Sequence, residues 1–252
     1  MDRKNPQRET SESAGLRLVS DQKESTGSRT IEKQFVNFMF FRVSPEWRRL
    51  DTDSKAEFKR EFIAEFDKFR RDFLLFTYSL VGFDSKADLM FWRIGNSLDL
   101  VQEMTARLYR TKLGSFFETT DNYLSVPNKM MFVGDGPEDR THTIAGEKKY
   151  HFIYPCLKGE GWYQMSSEER ESMIEENFMV GRRFQNIKIY LTRTMGFSEQ
   201  EYIISIETDE PRDFLALAEE LRQAPASKYS IRGMPVYTCR QRGLSDCLDA
   251  LG

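Results

Sequence analysis

The chain has 252 residues, 39% of them hydrophobic and 31% charged, and its 20 Phe and 10 Tyr supply enough apolar mass for a large aromatic core. The formal charge of −3 comes from interspersed signs, which provides no electrostatic footprint for nucleic acid or an anionic membrane. With no apolar run of about 18 residues and no apolar stretch near the start, neither a membrane span nor a signal peptide is expected, and the expected compartment is the cytoplasm.

Residues 1 to about 30 hold almost no large apolar side chains and are rich in Ser, Thr, Arg, Lys and Glu. Such a composition cannot offset its ordering entropy, so this segment reads as a disordered N-terminal tail. "EKQFVNFMFFRVSP" is a β-branched and aromatic strand closed by Pro45, and "DSKAEFKREFIAEFDKF" repeats Phe58, Phe62, Phe66 and Phe69 at helical spacing. Two strands, "LLFTYSLVGF" and "ADLMFWRI", a helix, "SLDLVQEMTARLYR", and a last strand, "FFETTDNYLSV", complete a β-α-β-β-α-β unit over about 31–127.

The polar stretch 128–147 reads as a connecting loop, after which the pattern repeats over 148–252. "KKYHFIYP", "SSEERESMIEENFMVGRRF", "NIKIYLTRTMGF", "EYIISIET", "PRDFLALAEELRQ" and "GMPVYTC" are strand, helix, strand, strand, helix and strand. Gly82-Phe83 and Gly196-Phe197 close equivalent strands, and Asp99-Leu100 and Asp213-Phe214 open equivalent helices, each pair 114 positions apart. The chain is therefore read as a tandem ferredoxin-like duplication, an α+β protein. Each unit covers one sheet face with helices and must bury the other, and the nearest cover is the sister sheet. Two sheets packed into an α+β barrel are expected, with a ligand cavity between a sheet and its helices.

Candidate chemistry is sparse. Cys156, Cys239 and Cys247 show no CxxC spacing, so they read as reduced structural thiols. Only His142 and His151 are present, which argues against a multi-histidine metal site. Along "MIEENFMVG" the residues Met173, Asn177, Val180 and Phe184 fall on one helix face, so an amide is expected on a buried apolar stripe.

Several of these runs carry a resemblance. "YHFIYPCLKGEGWYQMSSEERESMIEENFMVG", "MGF", "ETDEPRDFLALAEELR", "MPVYT" and the terminal "LDALG" look like the C-terminal half of the chlorite dismutase family, which includes the coproheme decarboxylases. "FVNFMFFRVSPEWRRL", "YSLVGFDSKADLMFW" and "FFETTDNYLSV" resemble its N-terminal half, so the likeness spans about residues 31–252 in order. It implies a dimeric α+β barrel that binds haem or coproheme in its second half, with homo-oligomers that are dimers or pentamers. It further implies a tyrosine-proline pair at Tyr154-Pro155, a propionate-side lysine at Lys158, an aromatic pair at Trp162-Tyr163, and an aromatic near the porphyrin edge at Tyr123. A lysine beside Tyr and Trp suits an amphipathic ring with carboxylates.

The metal-facing positions of the family depart. Its "EHxxxG" places an axial histidine on the iron, and "ENFMVG" puts Asn177 there. A neutral amide is a poor iron ligand beside imidazole. The carboxylate that orients the family histidine matches about Pro225, and the distal residue matches Ile189, or Tyr190 if no residue is deleted. By strand alternation His151 points away from the face carrying Tyr154, and the two methionines Met173 and Met179 read as packing. The expectation is a family member with a porphyrin-type pocket but a degenerate haem site and no catalysis. The alternative is a haem-dependent oxidoreductase with a non-standard iron ligand, in which Tyr154 is the catalytic residue and His142 the first alternative ligand.

Overall fold

In Phe35–Val43 (β1) every side chain but Phe35 and Arg42 is buried, because the strand is apolar on both faces. Val36, Phe38 and Phe40 point one way, while Met39, Phe41 and Val43 point the other and pack under helices. A strand with two apolar faces needs cover on both sides. The protein provides it by closing its sheet. In the computed structural model, which describes residues 34–127, 146–195, 202–231 and 235–252, eight antiparallel strands form a closed barrel. The tail 1–30, most of the connecting loop with His142, and Gly196-Phe197 lie outside the described residues.

The other strands are Phe73–Ser79 (β2), Leu89–Gly95 (β3), Phe117–Pro127 (β4), Tyr150–Cys156 (β5), Ile187–Thr194 (β6), Tyr202–Thr208 (β7) and Tyr237–Gln241 (β8). Their order around the barrel is β1-β3-β2-β8-β5-β7-β6-β4. Each half alone keeps the ferredoxin-like order, and the halves join at two seams. At one, Tyr78 and Ser79 of β2 pair with Gln241 and Arg240 of β8; at the other, Ser125, Val126 and Pro127 of β4 pair with Thr194, Arg193 and Thr192 of β6. The sequence led us to expect two sheets packed against each other. They also hydrogen-bond edge to edge, which removes every free strand edge between the halves.

The barrel interior is filled by aromatics from both halves. Phe40 meets Tyr237 with ring centroids 4.1 Å apart, and Trp92 lies 4.7 Å from His151 and 5.5 Å from Tyr190. Outside, the first half is covered by Thr52–Asp67 (α2) and Leu98–Arg110 (α3), N-capped by Asp51 and Ser97. Pro45–Arg49 (α1) buries Trp47 in the same core. Leu244–Asp249 (α7) packs there as well, through Leu244, Cys247, Leu248 and Leu251. Residues 244–252, assigned from the sequence to the second half, thus complete the core of the first. The second half is covered by Ser167–Gly181 (α5) and Pro211–Gln223 (α6).

Two polar groups are buried with matched partners. The Arg93 guanidinium, held down to about 10 by burial, donates to Asn37 Oδ1 from Nε at 2.9 Å and to Thr105 Oγ1 from Nη1 at 2.8 Å. Inside the barrel the Glu207 carboxylate accepts from Tyr190 at 2.7 Å, from Tyr78 at 3.3 Å and from the Gly146 amide at 3.0 Å. Gly146 has φ +74°, and a Cβ there would lie 2.1 Å from the Phe76 ring, so the chain re-enters the barrel rim only as glycine.

His151 is fully buried, with Nε2 2.6 Å from Ser205 Oγ, and burial pulls its pKa down from 6.5 to about 3. The folded state therefore holds a neutral ring that the unfolded chain protonates first. The stability tied to that ring is complete above the unfolded pKa of 6.5 and falls by about 1.4 kcal/mol per unit as pH drops toward 3. Between pH 6.5 and 4.5 the wild type should lose about 2 kcal/mol more than His151→Gln, measured by urea unfolding. Equal losses would show that His151 does not set the acid limb.

Candidate functional site

The second half offers one sheet face covered by helices, and strand alternation decides which residues share it. Tyr150, Phe152 and Tyr154 of β5 point outward toward α5 and α6, while His151 and Ile153 point into the barrel. On β6 the outward set is Ile187, Ile189 and Leu191, and Tyr190 faces inward onto Glu207. The two sequence candidates for the distal position are thereby separated. Ile189 lies on the helix-covered face and Tyr190 inside the barrel.

Helix α5 starts at a capping box: Glu169 N–H donates to Ser166 Oγ at 3.2 Å and Ser166 N–H to Glu169 Oε2 at 2.8 Å. Its buried residues are Phe178 and Gly181. Met173, Asn177, Val180 and Phe184, expected as the buried stripe, are only half-buried: Phe178 and Gly181 are the buried residues of the helix, while Val180 and Phe184 still pack against the same core. Asn177 nevertheless has a buried Oδ1 that accepts no hydrogen bond among the described residues. Leaving such an acceptor unpaired costs about 1–3 kcal/mol.

Lys158 follows β5 and is 9% exposed, not solvated. Its Nζ donates to the Ala226 carbonyl at 3.0 Å and to Ser230 Oγ at 2.8 Å, and stands 4.5 Å from the Trp162 ring centroid. The backbone is strapped in the same place, with Gly159 N–H donating to Tyr229 O at 2.7 Å and Ile231 N–H to Leu157 O at 2.9 Å. Trp162 belongs to the short helix Glu160–Tyr163 (α4); its ring is fully buried, and Nε1 has no partner among the described residues. Tyr163, next along, is half-exposed.

Tyr154 is half-buried, and desolvation raises its phenol above the usual value, with Cys156 adding and Arg222 of α6 opposing. Pro225 opens a 3-10 turn, Pro225–Tyr229, and borders a cleft of about 330 Å³ with Glu176 and Val180 of α5 and Glu220 and Gln223 of α6. The segment matched to the orienting carboxylate therefore does reach the helix of Asn177, and brings no acid from Pro225. Tyr123 stands apart. It lines the barrel interior, donating to Asp121 Oδ1 at 3.3 Å and lying 3.4 Å from the Tyr237 hydroxyl, and burial raises it to about 12.

Of the residues singled out from the sequence, the structure thus groups Tyr154, Ile189 and Asn177 about one sheet–helix interface, with Lys158 and Trp162 at its edge. The Glu207–Tyr190–Tyr78 cluster was missed. Its signal was present in "IISIET", where Ser205 and Glu207 interrupt an apolar strand at alternate positions, both on the inward face. Among the described residues no group of three or more His, Cys, Asp or Glu is placed to hold a metal ion, and no helix is long and apolar enough to cross a membrane. All three cysteines are buried and none is in a disulfide.

Lys158→Met keeps the stem over Trp162 and removes the donors to Ala226 and Ser230. The expected loss is about 1–3 kcal/mol in urea unfolding, and a change below about 0.5 kcal/mol would show that the ammonium does not hold this corner.

A sequence model of one family, chlorite dismutase, matches residues 32–242. Among solved structures, a variant of the chlorite dismutase from Candidatus Nitrospira defluvii superposes with a TM-score of 0.78 at 21% identity, covering 88% of this chain and 97% of that one. The same protein in complex with imidazole gives a TM-score of 0.77 at 21% identity, with 88% and 97% coverage. At that identity the superpositions establish the fold.

Proposed function

Since the chain belongs to the chlorite dismutase family over residues 32–242, we propose that it is a member that keeps the family's barrel while its haem site is degenerate and non-catalytic. One observation carries the reading: the position that the family resemblance matches to the iron-ligating histidine is Asn177, and among the described residues the helix-covered face offers no imidazole in its place. His151, the one histidine among the described residues, is sealed inside the barrel against Ser205. Ile189, at the matched distal position, brings a hydrocarbon where a donor would be needed.

The residues around this interface therefore do not fit a haem or coproheme. Iron ligation in the family depends on a basic nitrogen held by a second partner. Asn177 supplies neither the nitrogen lone pair nor the partner. Tyr154, the residue a working decarboxylase of this type would use, stands beside α6 and Arg222. We assign the protein a binding or assembly role. Titrating the purified protein with hemin should give no stoichiometric Soret shift, and no chlorite turnover. A saturable Soret band from the unmodified protein would favour instead a haem-dependent oxidoreductase with a non-standard ligand.

Family members form dimers or pentamers, and we extend that to this chain. Leu215 of α6 and Met179 of α5 are 60% and 54% exposed in the single chain, apolar surface that suits an interface. Sedimentation at micromolar concentration should show a species larger than the 29.6 kDa monomer; a monomer alone would refute the extension.

A further inference from the structure

The loss of an iron ligand and the loss of room for a porphyrin are separate matters. Phe152 of β5 and Phe214 of α6 stack with centroids 3.9 Å apart and ring planes within 3° of parallel. Carbon atoms in contact sit about 3.5–4.0 Å apart, so two side chains flanking a flat macrocycle must stand roughly 7–8 Å from each other. Phe152 and Phe214 stand at half that distance.

The same closure runs along α5. Phe178, the neighbour of Asn177, is 7% exposed and belongs to one packed cluster with Ile189, Leu191, Ile206 and Leu217. Ile174 precedes it by one turn and Phe184 follows the helix, and both pack against that cluster. Helix and sheet thus meet through their own side chains on either side of Asn177.

We infer that this face excludes a porphyrin sterically, with Phe178 as the closing side chain, so that restoring an imidazole at position 177 does not restore haem binding. The inference rests on the proposed degenerate site and adds a second, independent block to it. A close-packed interface does not open for a bulky ring at little cost, since its contacts must be given up before the new ones form.

The experiment uses the full chain, hemin and iron-free protoporphyrin IX. Protoporphyrin probes space alone, because it asks nothing of a metal ligand. Wild type and Asn177→His should bind neither probe saturably at micromolar concentration, followed by absorbance for hemin and by porphyrin fluorescence for protoporphyrin. Asn177→His combined with Phe178→Ala should bind hemin at least tenfold more tightly than Asn177→His alone and develop a Soret band. Circular dichroism and a thermal melt verify that the double variant is folded.

Saturable protoporphyrin binding by wild type, or hemin binding by Asn177→His alone, overturns the steric block and leaves the ligand-loss reading standing. Hemin ligation by the wild type overturns that reading itself. If the folded double variant gains nothing, Phe178 is not the closing residue and the inference fails as stated.

Discussion

Everything in this molecule depends on strands that are apolar on both faces. Phe38 and Phe40 cannot be solvated, and neither can Met39 and Phe41 between them. One ferredoxin-like unit covers only the second pair. The first is buried when the sister unit closes the ring at β2–β8 and β4–β6, a few backbone pairs at each seam that commit fifteen buried side chains, most of them aromatic or aliphatic, to a common interior. Full burial of each is worth about 1.5–3 kcal/mol, so the interior outweighs the seams that shape it. Because the interior is filled, any ligand must be sought on the outer faces, and this is why a lone histidine inside the barrel is chemically silent.

The periodicity of the chain revealed the elements well. Runs of β-branched and aromatic residues marked all eight strands, and the spacing of Phe58, Phe62 and Phe66 located a helix whose last two phenylalanines are buried. Strand alternation placed His151 on the opposite side of β5 from Tyr154, as found. What period cannot report is which edges meet, since the seams involve few residues of ordinary character. Nor does it report pairs remote in sequence, such as Arg93 with Asn37, or Glu207 with Tyr78 and Gly146. A buried charge reads locally like an exposed one on a strand. The helix of Asn177 was misread for a related reason: apolar residues occur around much of its circumference, and only tertiary packing decides that Phe178 and not Asn177 faces the sheet.

Site and scaffold are separable here. The chain belongs to the family across residues 32–242, while under the proposed reading the ligand position holds Asn177, whose Oδ1 has no partner among the described residues. Lys158 shows the converse. A residue that the family resemblance would spend on a ligand's carboxylate here ties two loops together, with its charge taken up by a carbonyl, a hydroxyl and an indole face.

The position of α7 has a consequence for how the chain comes into being. Leu244, Cys247, Leu248 and Leu251 follow the whole second half in the chain, yet they finish the hydrophobic layer around Phe62 and Phe91 in the half that is made first. Domains that emerge early usually fold early. Here the first half is made with an open seam on its sheet and a gap over its helices, and both stay open until β8 and α7 have been made. Completion of the first half is thereby tied to synthesis of the second, and a chain cut short before α7 leaves its oldest part the least protected.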